Sequence, residues 1–160
     1  MKFDFAPGAF VMMIGVPGSG KSTFCRDHLA DGEIICPDDI RRELTGDASD
    51  QSRNEEVFSL VRAALATHLT VPTTYVVVDA TGASGRHRRE LIQDAHFFGA
   101  KTIIGIHLIT PLQKCLHYNS LRSRVVPDDV IERMDRQLQA DPPTRRDGFD
   151  AVLRFDQIRS

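Results

Sequence analysis

The sequence predicts an α/β fold: a parallel sheet of about five strands with helices on both faces. Short apolar runs alternate with longer amphipathic ones along the chain, as strands joined by crossover helices do. The run TTYVVVDAT (73–81) is β-branched and unbroken, which suits a strand buried on both faces. Three polar clusters (15–22, 38–42 and 79–81) each follow an apolar run. A parallel sheet would gather them along one rim, beyond the carboxyl ends of the strands, where such folds bind ligands.

The elements follow in order. AFVMMIG (9–15) is a buried strand, and a helix runs from Lys21 to Ala30 with Gly32 as its stop. EIIC (33–36) is the second strand, leading into a short helix from Asp38 to near Gly46. Ser52 and Glu55 make a capping-box pattern. The helix they open carries Val57, Val61, Ala64, Leu65 and Leu69 on one face and ends at Pro72. After TTYVVVDAT comes a helix from Ser84 to Phe98, stopped by Gly99. TIIGIHLI (102–109) is the fourth strand. Thr110, Pro111 and Gln113 then supply a cap, a first-turn proline and a capping-box partner for a helix that turns Leu112, Cys115 and Leu116 inward. Beyond LRSRVVP, another amphipathic helix places Val130, Ile131, Met134 and Leu138 on one side. DPPTRRDG (141–148) is a loop and FDAVLRF (149–155) the last strand.

The length of 160 residues corresponds to one domain, 1–160, and is enough chain to bury a core. A formal net charge of -2 gives no overall positive field, so any nucleic-acid contact must use a local patch covering a few phosphates. Most of the 20 basic residues are Arg, whose fork suits phosphate; genomic base composition explains the bias equally well. Cys25, Cys36 and Cys115 form no C-x-x-C pair and are odd in number, which fits free thiols in a reducing cytoplasm. The dispersed histidines have no metal-ligand spacing. The first ten residues, MKFDFAPGAF, carry an acid and a proline where a signal peptide needs an apolar stretch, and no run is long enough to span a membrane.

GVPGSGKS (15–22) matches G-x-x-x-x-G-K-S/T, with an apolar strand before it and a helix after it. Its glycines, Gly15, Gly18 and Gly20, let backbone amides turn inward around an anion. Lys21 reaches the outer phosphates of a nucleoside triphosphate, Ser22 ligates Mg²⁺, and the helix N-terminus adds partial positive charge. Asp79, at the end of a buried strand, suits a carboxylate that orients Mg²⁺ or its water. A plain turn-capping Asp is the competing explanation. No N-K-x-D motif follows, which argues against a GTPase switch. No L-S-G-G-Q signature is present, which argues against a transporter-type ATPase.

Phosphoryl transfer also needs a group that takes or orients the proton of the acceptor hydroxyl. Asp38 and Asp39, after the second strand, are candidates. Arg41 lies one helical turn from Asp38, placed to pair with it or to hold an acceptor phosphate. Either Asp could instead be the N-cap of the short helix, and two adjacent acids permit both roles. GRHRRE (85–90) sets Arg86, His87, Arg88 and Arg89 at a helix start, where cations oppose the helix dipole at about 0.3–1 kcal/mol each. The alternatives are contact with a nucleic-acid backbone and a solvated face.

GVPGSGKST, PDDIRREL, VVVDAT and NSLRSRVVPDDVIERM occur in this order, and in this order they resemble 5′-hydroxyl polynucleotide kinases of the phage end-healing type, a branch of the P-loop kinases. The resemblance runs from Phe10 to Phe155. It implies a P-loop kinase fold with a small Arg-containing lid and a central P-loop strand. It implies an ATP-dependent transfer, with ATP or another nucleoside triphosphate as donor and Mg²⁺ as cofactor. The acceptor would be the 5′-hydroxyl end of DNA or RNA, with a phosphatase or ligase as a possible partner. Asp38 would be the general base and Arg41 the clamp on the acceptor's phosphate. Gly15, Pro17, Gly18, Ser19, Gly20, Lys21, Ser22 and Thr23 would hold the donor, and Asp79 would support the site; Thr81 beside it, and Arg86 and Arg89 from the GRHRRE stretch, are further candidates for binding the acceptor. Arg122 would stabilise the transferred group. The family often has another arginine four positions earlier; this chain has Tyr118 there and an extra Arg124, so Arg122 and Arg124 are alternatives for the lid's grip. Two other functions stay open: a P-loop kinase acting on a small molecule or a modified base, and a nucleotide-dependent binding module with little turnover.

Overall fold

The computed structural model describes residues 2–156. The outermost residues of the expected 1–160 domain, Met1 and Gln157 to Ser160, lie outside them. Five strands, β1 (Ala9–Ile14), β2 (Glu33–Ile35), β3 (Val76–Asp79), β4 (Thr102–Ile109) and β5 (Ala151–Asp156), form one parallel sheet in the order β2-β3-β1-β4-β5. The helices are α1 (Lys21–His28), α2 (Pro37–Thr45), α3 (Asn54–Thr70), α4 (Gly85–Phe97), α5 (Leu112–Ser120) and α6 (Asp128–Ala140).

β1 lies at the centre, with β3 and β4 on its two sides. All six of its residues are buried, because alternate side chains feed two cores. Phe10, Met12 and Ile14 join Val76, Val78 and Ile103 on the face covered by α3, α4, α5 and α6. Ala9, Val11 and Met13 join Val77, Ile104 and Ile106 on the opposite face, under Phe24, Cys25 and Leu29. There the N-terminal Phe3 and Phe5 complete the cover, stacked at 5.5 Å on each other and edge-on to Phe155 and Tyr75 respectively. Each such large apolar side chain contributes roughly 1.5–3 kcal/mol on burial, so the central strand is a stiff base for the turn that leaves it.

Several element ends differ from the sequence expectations, some through partners distant in sequence and some through local turns. α1 stops at His28, and Gly32 is not its left-handed cap; a Cβ there would lie 2.3 Å from the Tyr75 ring, so close packing requires the glycine. The Ser52–Glu55 capping box does not form. α3 starts at Asn54, and the Ser52 N–H donates to Asp50 Oδ1 at 2.9 Å in the preceding turn. Thr110 does not cap α5 but donates its hydroxyl to the Ser19 carbonyl at 2.9 Å. The 141–148 loop contains a 3₁₀ turn, Arg145–Asp147, closed by a Thr144/Asp147 capping box.

That turn explains the basic stretch at the start of α4. Arg88 is 1% exposed. Its Nε donates to Asp147 Oδ2 at 2.9 Å, and its other nitrogens donate to the Gly82 and Asp141 carbonyls at 2.8 Å each. Arg89 donates to the second Asp147 oxygen at 3.0 Å, and Arg86 forms an exposed pair with Glu90 at 2.9 Å. The run is therefore no continuous cationic face: its centre ties α4 to the 141–148 loop. Arg88→Ala should destabilise the fold by about 3–5 kcal/mol, because Asp147 would remain buried beside too little positive charge. Urea denaturation would check this, with Arg86→Ala leaving the midpoint in place.

Burial, helped by the Arg154 and Arg88 charges, holds His107 down at about 4 against its ordinary 6.5. The unfolded chain thus binds the proton first as pH falls, and stability is lost between about 6.5 and about 4. His107→Gln should flatten that part of a stability-versus-pH curve, and an unchanged curve would assign the loss to other groups.

Candidate active site

The turn after β1 is the Gly15–Lys21 loop. Lys21 opens α1, whose cap, Gly20, sits at φ 98 with no side-chain cap. The first amides of α1 therefore have no partner within the helix and face the loop, the arrangement that binds anions. The loop is held from both sides. The Gly15 N–H donates to the Thr81 carbonyl at 2.9 Å, just past β3. On the β4 side, Thr110 holds the Ser19 carbonyl, and Gly18 (φ +85) packs so closely on α5 that a Cβ would lie 2.2 Å from the Cys115 carbonyl oxygen. Ser19, expected among the phosphate-binding residues, turns its hydroxyl under the loop. A Cβ on Gly15 would meet it at 2.5 Å, and its N–H closes the turn on the Val16 carbonyl at 3.1 Å. Pro17 is buried, while Ser22 and Thr23 are exposed on the first turn of α1.

Lys21 Nζ donates to the Val16 carbonyl at 3.2 Å. Burial pushes its ammonium below the ordinary value; the Asp79 carboxylate opposes this, Arg122 adds to it, and Asp38 opposes it again. A bound polyphosphate would supply the negative charge this group lacks. Ser22 Oγ donates to Asp79 Oδ2 at 3.1 Å. Burial raises the Asp79 carboxyl above its ordinary range, against the pull of Lys21 and the Ser22 hydrogen bond, with Asp38 and Asp39 raising it further. A hydroxyl and a carboxylate side by side at a phosphate-binding turn are hard oxygen donors that fit Mg²⁺ with part of its water shell. Among the described residues no cluster of three or more His, Cys, Asp or Glu forms a metal cage.

Neither acid after β2 is a cap. α2 begins at Pro37, and its N-cap is Cys36, without a side-chain cap bond. That leaves both carboxylates in the first turn, where the helix dipole favours them. The two i,i+3 pairs have different surroundings. Arg42 and Asp39 form a pair in which each side chain is 61% exposed. Arg41 is 7% exposed and donates from Nη1 to Asp38 Oδ1 at 2.7 Å. Its Nε and Nη2 both donate to Asn54 Oδ1, at 3.2 and 3.1 Å. Nothing in the sequence marks Asn54 except its place at the start of α3.

Between α5 and α6 the chain forms the Arg-bearing lid. Asn119, fully buried, closes it at the base: its Nδ2 donates to the Val126 carbonyl at 2.7 Å, and the Val126 N–H donates back to Oδ1 at 3.1 Å. Arg122 and Arg124 both lie on the closed segment. The Arg122 charge is felt at Lys21, whereas Arg124 Nη1 donates to Asp38 Oδ2 at 3.4 Å. Arg124, expected with the donor-binding residues, contacts Asp38 at the start of α2. Arg86 and Arg89 stay with Glu90 and Asp147 at the start of α4.

A phosphate-binding turn at the exit of the central strand, with a lid over one rim of a 2-3-1-4-5 parallel sheet, defines a P-loop kinase fold. The chain belongs to the family described as "AAA domain" (AAA_33), matched over residues 10–141. A chain from the structure of the Pnkp1/Rnl/Hen1 RNA repair complex superposes with a TM-score of 0.73 at 23% identity, covering 93% of this chain and 48% of that one. A gluconokinase from Sinorhizobium meliloti 1021 superposes with a TM-score of 0.57 at 17% identity, covering 98% of this chain and 86% of that one. An aliphatic sulfonates import ATP-binding protein of Mycobacterium sp. (strain MCS) is 48% identical over 42 residues, 23% of this chain and 17% of that protein. The chain therefore spans about half of the RNA repair chain and less than a fifth of the import protein. Among the described residues no helix is long and apolar enough to cross a membrane.

Gly18→Ala should weaken nucleotide binding by at least about tenfold, since a positive φ alone costs a non-glycine residue roughly 1–2 kcal/mol and the new methyl would collide with α5. Titration calorimetry with ATP, beside circular dichroism to confirm folding, measures it.

Proposed function

We propose that this protein is an ATP-dependent kinase that transfers the γ-phosphate to the 5′-hydroxyl end of a DNA or RNA strand. One observation carries the proposal: Asp38, at the exit of β2, is oriented by a buried arginine on the same rim as the phosphate-binding turn. A nucleotide-binding module needs no such acid.

The amides of the 15–23 turn other than those of Gly15 and Ser19 hold the donor phosphates, and Lys21 and Arg122 supply positive charge to the negative charge of the transferred group. Ser22 and Asp79 would hold Mg²⁺, which when bound neutralises charge on the donor phosphates. Asp38 Oδ2 accepts the acceptor's hydroxyl proton as the new O–P bond forms and the bond to the β-phosphate oxygen breaks, releasing ADP. Arg41 keeps N–H groups beyond those used by Asp38 and Asn54, and these face an acceptor phosphate. Thr81 acts through its carbonyl, by fixing Gly15. In the basic stretch of α4, Arg86 is the residue left to meet a strand backbone, since an exposed pair such as Arg86–Glu90 exchanges readily for phosphate. An enzyme that heals ends would work with a phosphatase or a ligase, and the likeness to a chain of an RNA repair complex supports such a partner.

A small-molecule acceptor is the second reading. The net charge of -2 and the near end-to-end superposition on a gluconokinase favour it. Incubation with γ-labelled ATP, Mg²⁺ and 5′-hydroxyl oligonucleotides, with nucleosides and sugars in parallel, separates the two. Label is expected on the oligonucleotide end. Label only on a small molecule would establish the second reading, and no transfer at all would leave a binding module. Lys21→Ala should abolish transfer, and Arg41→Ala should raise the KM for oligonucleotide by about tenfold while ATP affinity holds.

A further inference from the structure

Asp38 has two oxygens, and each has its own arginine. Arg41, on α2, holds Oδ1 at 2.7 Å, and Arg124, on the lid 86 residues away in sequence, reaches Oδ2 at 3.4 Å. Arg41 cannot follow Asp38 if the carboxylate rotates, because Asn54 Oδ1 takes both its Nε and its Nη2. Asn54 is fixed in turn by donating from Nδ2 to Gln51 Oε1 at 2.6 Å. The Oδ1 side of the carboxylate is thus anchored to the body of the protein, and the Oδ2 side is anchored to the lid.

The lid has a defined root. The Asn119–Val126 pair closes it, and α5, which leads into it, is seated on the phosphate-binding turn through Gly18 against the Cys115 carbonyl and Thr110 on the Ser19 carbonyl. One short segment is therefore fixed to the donor side at its base and touches the acceptor-side acid at its tip. The tip contact is long and about half exposed on the Asp38 side, so it is weak enough to be remade as substrates come and go. A carboxylate oxygen has two lone pairs. With Arg124 on one of those of Oδ2, the other remains for an incoming hydroxyl.

We propose that Arg124 is an acceptor-side positioning residue: it draws the lid tip onto Asp38 and holds Oδ2 toward the transfer gap, leaving the donor phosphates to Arg122. The assignment rests on the kinase function proposed above and deepens it. Lid closure and base orientation become one event, so an acceptor that displaces Asp38 also opens the lid.

Two measurements test it. Amide exchange over residues 121–127, with no substrate present, should be about two- to fivefold faster in both Arg124→Ala and Asp38→Ala than in the wild type. Unchanged exchange in both would overturn the proposal. In turnover assays Arg124→Ala should lower kcat about tenfold with the ATP Kd unchanged, and Arg124→Lys should recover part of the loss. Arg122→Ala, in contrast, should weaken both. The double variant Asp38→Ala/Arg124→Ala should be no slower than Asp38→Ala alone. Loss of ATP affinity in Arg124→Ala equal to that in Arg122→Ala would place Arg124 on the donor and overturn the assignment. A wild type that labels no acceptor would sink the kinase function, and the exchange experiment would still decide whether Arg124 ties the lid to Asp38.

Discussion

A turn that binds an anion through its amides can spare few of them to hold its own shape. The 15–23 turn meets this constraint by borrowing support from the exits of both neighbouring strands. The Thr81 carbonyl fixes Gly15 from β3, the Thr110 hydroxyl fixes Ser19 from beyond β4, and the backbone of α5 fills the space where a Gly18 side chain would be. None of these contacts is possible unless β1 lies between β3 and β4, so the sheet order is a requirement of the site. The same support carries the lid, because α5 serves as both buttress and lid root.

Much of this architecture was legible in the sequence, and the part that was not has one physical cause. Strand cores and helix faces follow from periodicity, which is local. Val57, Val61, Leu65 and Leu69 are all buried as their spacing on α3 requires, and the TTYVVVDAT run gives a strand with both faces covered. A polar side chain's pattern reveals what it is able to bond, whereas its partner is set by tertiary structure. Thr110 has the chemistry of a cap and bonds Ser19, 91 residues away, instead. Arg88 looks like one of several surface cations and is the most deeply buried of them, because Asp147 is 59 residues further on. Asn119 and Asn54, which shape the lid and the acid, carry no local signal. The 15–23 motif was legible for the opposite reason: its spacing is that of a phosphate-binding turn, which the chemistry of an anion dictates.

PDDIRREL shows how one helix separates two identical pairs. Asp38–Arg41 and Asp39–Arg42 have the same i,i+3 spacing, but one residue turns a helix by about 100°. That rotation puts Arg41 against α3 and Arg42 in water, 7% and 61% exposed respectively. A buried guanidinium needs a partner, and Asp38 is its only carboxylate partner among the described residues. The proposed base is therefore also part of the fold's electrostatic balance. Structural and chemical roles for this acid are not alternatives: burying Arg41 is what keeps the carboxylate in place.

The formal charge of -2 describes the whole chain and not its rim. Around the phosphate-binding turn, Lys21, Arg41, Arg122 and Arg124 face Asp38 and Asp79, an excess of cations on a protein that is acidic overall. Burial pushes the Lys21 ammonium down, with Arg122 adding to the effect and Asp79 and Asp38 opposing it. A triphosphate relieves it by bringing negative charge to the same place, so part of the electrostatic cost of assembling the rim is returned on binding. A formal charge of -2 supplies no overall positive field for a long nucleic-acid groove. It does not bear on a site that grips one strand end, since such a site needs only a few positive groups held within the reach of one transferred phosphate.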